Sequence, residues 1–285
     1  MSTHHTIRRI TVPQIRAMKG AGRIVSLTAY TSLIAKLMDD YVDLVVVGDS
    51  TGMVAYGMES TLQVGLDMMI AHGKAVVRGA ARACVVVDMP FATYQESPRQ
   101  AYRNAARVLA ETGAQAVKME GGEELLETVD FLMRRGIPVM PHIGLLPQHV
   151  QAMGGFRYQA RTPEEIAALA GLARDLEQRG AFCLLIEGTS EAAARAVTGA
   201  VAIPTLGIGA SPSCDGQVLV TEDMLGLFSD YRPRFVKQYA ALAENMREAF
   251  GKYRDEVRDG TFPSLDHCFA AAGAPAQKNQ AQKNL

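Results

Sequence analysis

Residues 44–50 read LVVVGDS: four apolar residues in a row, then glycine, aspartate and serine. A strand covered on both faces reads as a short unbroken apolar run rather than as an alternation. The same event recurs along the chain. ACVVVDMP (83–90) closes on Asp88, AQAVKMEG (114–121) carries Lys118 and Glu120, IPVMPHIG (137–144) carries His142, and FCLLIEG (182–188) ends on Glu187. One charge at the end of one run is ordinary. A charge on five successive runs predicts a barrel rim, where the carboxyl ends of parallel strands converge.

Working outward, strand-like and helix-like segments alternate. RIVSLTAY (23–30) precedes the opening run, and IPTLGIGA (203–210) with GQVLVTEDMLG (216–226) supplies a seventh and a short eighth strand. Between them lie helical stretches with good boundaries. Pro98 opens and Gly113 closes one; Thr162, Pro163 and two glutamates open another. Eight β/α units predict a (β/α)8 TIM barrel over residues 1–269, with an N-terminal extension and an extra long C-terminal helix at about 235–257. A doubly wound open sheet is the runner-up, since alternation does not by itself require closure. The small, polar segment 270–285 reads as a disordered tail.

The composition narrows the function classes. A formal charge of −1 over 285 residues gives no basic surface for nucleic acid or an anionic membrane. MSTHHTIRRITVPQ lacks the apolar core of a secretory signal, and no apolar run approaches the roughly 20 residues of a membrane span. Cys84, Cys183, Cys214 and Cys268 are scattered, without a CxxC pair. Reduced thiols and cytoplasmic residence are the expectation.

Asp49 and Asp88 end neighbouring strands. Two carboxylates brought together repel unless a cation or proton separates them, and oxygen ligands favour a hard ion such as Mg²⁺. Each aspartate alone would more simply cap the following helix. Lys118 and Glu120, two apart on one strand, share a face; a structural ion pair competes with a functional role. His142 is either a satisfied core histidine or part of the same rim. Glu187 suits a general base if the pocket raises its pKa, with a helix cap as the plainer reading. Gly121, Gly122, Gly207 and Gly209 are weak phosphate signals that close chain packing explains equally well.

Several longer stretches carry a family likeness. VVVGDSTGMVAYGMESTLQV (45–64), VVVDMPFATY (85–94), SPRQAYRNAARVLAETGAQAVKMEGG (97–122), IPVMPHIGLLPQ (137–148), IPTLGIGA with CDGQVLV, and FVKQYA with FPSLDHCF resemble ketopantoate hydroxymethyltransferases, in the same order from Thr11 to Phe269. The resemblance implies a TIM barrel of the phosphoenolpyruvate/pyruvate-like superfamily. It implies one-carbon transfer from 5,10-methylenetetrahydrofolate to 3-methyl-2-oxobutanoate through a Mg²⁺-stabilised enolate, giving 2-dehydropantoate for pantothenate and coenzyme A. By resemblance Asp49 and Asp88 hold Mg²⁺ and, with it, the substrate, with Glu120 as the metal's outer partner. Ser50, Lys118 and His142 contact the oxo acid, and Glu187 is the base. A homodecamer of two stacked pentamers is implied as well.

The chain departs from the family's habit in places. Thr31 follows TAY where aspartate is usual, and Pro141 precedes His142 where glycine is usual. Ala160 replaces the glycine of QGR, Ser211 follows GIGA, and Asp266–His267 stands for EH. Rival readings are a Mg²⁺-dependent lyase or mutase on another 2-oxo acid, whose KKCGH-type lid motif is missing here, and a non-catalytic barrel scaffold. Clustered, partly desolvated charge argues against a scaffold.

Overall fold

The computed structural model describes residues 9–155, 157–228 and 233–269; the segment 270–285 lies outside them. Eight parallel strands close into a barrel in sequence order: β1 (Ile24–Thr28), β2 (Leu44–Val47), β3 (Cys84–Asp88), β4 (Ala116–Glu120), β5 (Val139–Gly144), β6 (Leu184–Glu187), β7 (Thr205–Ile208) and β8 (Gly216–Leu219). β8 pairs with β1, so the sheet has no edge. The open doubly wound alternative is thereby excluded.

Helices alternate with the strands: α1 (Val12–Arg16), α2 (Ser32–Met38), α3 (Thr51–Tyr56), α4 (Leu66–Gly79), α5 (Pro98–Thr112), α6 (Leu126–Met133), α7 (Val150–Met153), α8 (Pro163–Gln178), α9 (Glu191–Ala200), α10 (Thr221–Met224) and α11 (Leu242–Asp259). Their starts follow ordinary chemistry. Ser97 accepts from the Gln100 N–H ahead of α5, and Thr162 forms a capping box with Glu165 ahead of α8. Thr31, standing where the family favours aspartate, accepts from the Ile34 N–H and so still caps α2.

The unbroken apolar runs divide by strand parity. Val45, Val47, Val85, Val87, Val117, Val139 and Ile186 join the layer between barrel and helices. Leu44, Val46, Cys84, Val86, Ala116, Met140 and Leu185 fill the barrel interior, closed from the amino-terminal end by Ile15 of α1 with Ile10 and Val12. Continuing the inward phase one step upward on β3 to β6 gives Asp88, Lys118, Glu120, His142 and Glu187 instead of another apolar layer.

The last helix is shorter than its sequence suggests. Residues 235–241 are not helical; the Tyr239, Leu242 and Ala243 N–H groups bond the Met224, Leu225 and Gly226 carbonyls, and Val236 is buried. Tertiary backbone pairing thus outcompetes a helical start there. β7 runs to β8 without a helix, and the outer face of β1 and β8 is partly bare: Val25 is 46% exposed. A cavity of about 610 Å³ lies there, lined by residues that include Val25, Pro212, Gln217 and Phe235. No helix of the described residues is long and apolar enough to cross a membrane. All four cysteines are free.

Candidate active site

The barrel register assembles the rim. Asp88 pairs in register with Lys118 across β3 and β4, Glu120 with His142 across β4 and β5, and Gly144 with Glu187 across β5 and β6. Lys118 Nζ lies 3.0 Å from Asp88 Oδ2 and 3.3 Å from His142 Nδ1. His142 Nδ1 is 3.2 Å from Glu120 Oε2. Its Nε2 is 3.3 Å from Glu187 Oε2, without the alignment of a hydrogen bond. Asp49, just past β2, donates its backbone N–H to Asp88 Oδ2 at 3.1 Å. Asp49, Asp88, Lys118, Glu120 and His142 are all buried; Glu187 is the more open carboxylate, its side chain 22% exposed.

Helix capping, the plainer reading of Asp49, Asp88 and Glu187, does not hold. Ser50 stands at the cap of α3, Ser97 caps α5 and Ser190 caps α9, so neither Asp49, Asp88 nor Glu187 caps the helix that follows it. Ser50 Oγ instead lies 2.8 Å from the Tyr30 hydroxyl. Two glycines make room. A Cβ on Gly48 would fall 2.6 Å from Ser50 Oγ, and one on Gly144, which has φ +99°, would strike the Glu187 carbonyl.

Four carboxylates share this rim with one lysine and one histidine, and the electrostatics follow. Burial, then the neighbouring Asp88, pushes the Asp49 carboxyl well up. Burial also raises Asp88, although Lys118 opposes it. For Lys118 burial works against the charge, but Asp88, Asp49 and Glu120 outweigh it and the ammonium is held more firmly than usual. Burial would raise Glu120 too, yet its bond to His142 and the charges of His142 and Lys118 bring it below the ordinary carboxylate value. Glu187 is raised, chiefly by burial.

The donor set fits a hard divalent cation at Asp49 and Asp88. Asp88 Oδ1 is buried with no hydrogen-bond partner, and the two acids repel. Mg²⁺ commonly takes one or two carboxylates and completes its shell with water or substrate oxygens. Among the described residues no three His, Cys, Asp or Glu side chains converge to hold an ion unaided. Glu120 is engaged elsewhere: Oε1 accepts from the Gln148 backbone N–H and Oε2 faces His142.

Neutral residues at the site escaped the sequence reading, which followed charge. Tyr30 reaches Ser50. The buried Tyr94 hydroxyl lies 2.8 Å from both the Glu120 carbonyl and Gln148 Oε1. Gln148 reaches Asp49. Their only signal was membership of the quoted motifs.

A closed parallel barrel with a charged carboxyl-terminal rim belongs among the α/β barrel enzymes. The fold is shared with 2,3-dimethylmalate lyase, a PEP mutase/isocitrate lyase superfamily member, at a TM-score of 0.54 and 18% identity over 91% of each chain. Phosphonopyruvate hydrolase, solved with oxalate and Mg²⁺, matches at a TM-score of 0.56 and 14% identity over 92% of each chain. Sequence is more specific than fold. Residues 9–265 match the family described as ketopantoate hydroxymethyltransferase. The 3-methyl-2-oxobutanoate hydroxymethyltransferase 1 of Hahella chejuensis is 67% identical over 269 residues, 94% of this chain and 97% of that protein. The chain belongs to the ketopantoate hydroxymethyltransferase family.

Proposed function

We propose that this chain transfers a one-carbon unit from 5,10-methylenetetrahydrofolate to 3-methyl-2-oxobutanoate, forming 2-dehydropantoate on the route to pantothenate and coenzyme A. The observation that carries the reading is the rim cluster itself. Asp49 and Asp88 present a paired carboxylate site beside the Lys118 ammonium, and Glu187 stands on the far side of His142. The 67% identity to a 3-methyl-2-oxobutanoate hydroxymethyltransferase favours this substrate over that of a lyase or mutase.

The chain's own residues divide the work. Glu187, partly open to the rim and raised by burial, takes the proton from C3 of the oxo acid. His142 Nε2, buried 3.3 Å from that carboxylate without a hydrogen-bond partner, is left to contact the oxo acid. Lys118, kept charged by its acidic neighbours, meets the negative charge of the substrate. Ser50 offers a hydroxyl whose direction the Tyr30 hydroxyl sets. Asp49 and Asp88 would hold Mg²⁺, which when bound supplies Lewis-acid polarisation of the substrate's ketone, worth several kcal/mol. Water opens the folate's aminal, its oxygen staying on the one-carbon unit and its two hydrogens passing to the two nitrogens of departing tetrahydrofolate. The C3 carbanion bonds to that carbon, and Glu187 returns its proton to the new hydroxyl.

A homo-oligomer, with the family's decamer as the specific expectation, is supported by α11. That helix buries none of its residues, yet Met246, Phe250, Tyr253 and Val257 follow one another at four, three and four positions along one face, 44–63% exposed. An 18-residue helix with little tertiary packing beyond the Tyr253–Phe262 ring contact is marginal in water, so this face suits a second copy of the chain. Free cysteines fit a cytoplasmic enzyme.

The deciding experiment is turnover of 3-methyl-2-oxobutanoate with Mg²⁺, with and without methylenetetrahydrofolate. Product formation that needs the folate supports the transferase. Cleavage or rearrangement without it would mean a lyase or mutase.

A further inference from the structure

Gln148 is 3% exposed and sits in the short turn Pro147–His149 that follows β5. Its side-chain amide has two N–H donors and an oxygen able to accept twice, and each capacity is used. Nε2 donates to Asp49 Oδ2 at 2.8 Å and to the Met89 carbonyl at 3.0 Å. Oε1 accepts from Gln95 Nε2 at 3.0 Å and shares the single proton of the Tyr94 hydroxyl, 2.8 Å away, with the Glu120 carbonyl. The backbone N–H of the same residue donates to Glu120 Oε1. A single residue, four positions past the end of β5, thus ties together the ends of β2, β3 and β4.

The amide's orientation is determined by its surroundings. Two acceptors face its nitrogen and two donors face its oxygen, so a flip would set oxygen against the Asp49 carboxylate. Its neutrality matters as much. A lysine or arginine there would satisfy Asp49 by cancelling its charge and would compete with an incoming cation. A carboxylate would add to the repulsion that already burdens Asp49 and Asp88. An amide holds one oxygen of Asp49 in place and leaves the negative charge free for a cation.

We propose that Gln148 is a positioning residue for the cation site: it fixes the Asp49 carboxylate, and through its backbone Glu120, in the arrangement that takes up Mg²⁺. The assignment rests on the reading that Asp49 and Asp88 hold the metal. Partners that orient metal ligands typically account for 10–100-fold in affinity or activity.

The test is calorimetric titration of the full-length protein with Mg²⁺, comparing wild type with Gln148→Met, which keeps the volume and loses the four side-chain hydrogen bonds. Gln148→Asn, which withdraws the amide by one methylene, serves if the first variant does not fold. Mg²⁺ affinity should fall by roughly 10–100-fold in a variant that still unfolds cooperatively. Affinity within twofold of wild type, even with a lowered unfolding temperature, would reduce Gln148 to a structural tie and overturn the proposal. Asp88→Asn is run beside it. If that change abolishes Mg²⁺ binding while Gln148→Met does not, only the role of Gln148 fails. If Asp88→Asn leaves binding intact, the metal assignment fails and Gln148's role falls with it.

Discussion

Lys118 Nζ lies 3.0 Å from Asp88 Oδ2, and the two residues are also register partners across β3 and β4. The pairing is therefore built into the barrel closure rather than reached by side-chain rotation. Removing one partner of a buried pair leaves the other uncompensated, at about 3–5 kcal/mol. Lys118→Met should lose stability on that scale in chelator, and added Mg²⁺ should restore part of it. Urea unfolding with and without Mg²⁺ measures both; an unchanged midpoint would show that the pair adds nothing.

Glu187 controls a pH dependence whose sign follows from its burial. Its carboxyl is raised in the folded chain, so the folded state keeps a proton at pH values where the unfolded chain has released it. Its contribution to stability is fully present below the unfolded value and is lost as pH rises through the folded one. Activity moves oppositely, because the base must be ionised. Glu187→Gln should abolish exchange of the substrate's C3 proton in deuterated water while Mg²⁺ still binds. Exchange at the wild-type rate in that variant would remove Glu187 from the role of base.

Metal linkage gives a second thermodynamic handle. At about 100 times its Kd, Mg²⁺ should stabilise the folded chain by about 2.7 kcal/mol. Asp88→Ala should erase that increment. Thermal unfolding of both proteins in Mg²⁺ and in EDTA reads it directly, and an equal Mg²⁺ effect on the variant would exclude Asp88 as a ligand.

Ala160 holds φ +54°, the left-handed region that favours glycine, and its carbonyl accepts from Ser190 Oγ at 2.5 Å. The strain costs an L-residue roughly 1–2 kcal/mol, less the extra unfolded-chain freedom of glycine. Ala160→Gly should therefore stabilise the chain by about 0.5–1 kcal/mol. A lower unfolding midpoint would mean that the alanine methyl contributes more through packing than its backbone loses.

The exposed face of α11 should mediate self-association. Phe250→Glu combined with Tyr253→Lys should lower the sedimentation mass of the assembly with little change in far-ultraviolet circular dichroism. An unchanged mass would place the contact elsewhere.

The sequence alone determined a parallel α/β sheet with a charged rim; its closure into a barrel, which alternation does not require, came with the pairing of β8 and β1. Apolar runs such as LVVVGDS and FCLLIEG are short, continuous and repeated, which only strands covered on both faces require, and a charge closing each run marks the end where water and ligands gain access. Asp49, Asp88, Lys118, Glu120, His142 and Glu187 were legible for that reason: a buried charge is costly, so its presence in an apolar run is informative. Tertiary structure alone decided which charges meet. Register set Lys118 against Asp88 and Glu120 against His142, a pairing of residues 30 and 22 positions apart that no local pattern encodes. It also brought in Gln148, Tyr94 and Tyr30, whose neutral side chains carry no burial penalty large enough to stand out in a sequence. The start of α11 at Leu242 was likewise a tertiary outcome: the N–H groups of Tyr239, Leu242 and Ala243 found acceptors at residues 224–226, and a helix begins only where its own hydrogen bonds are the better offer.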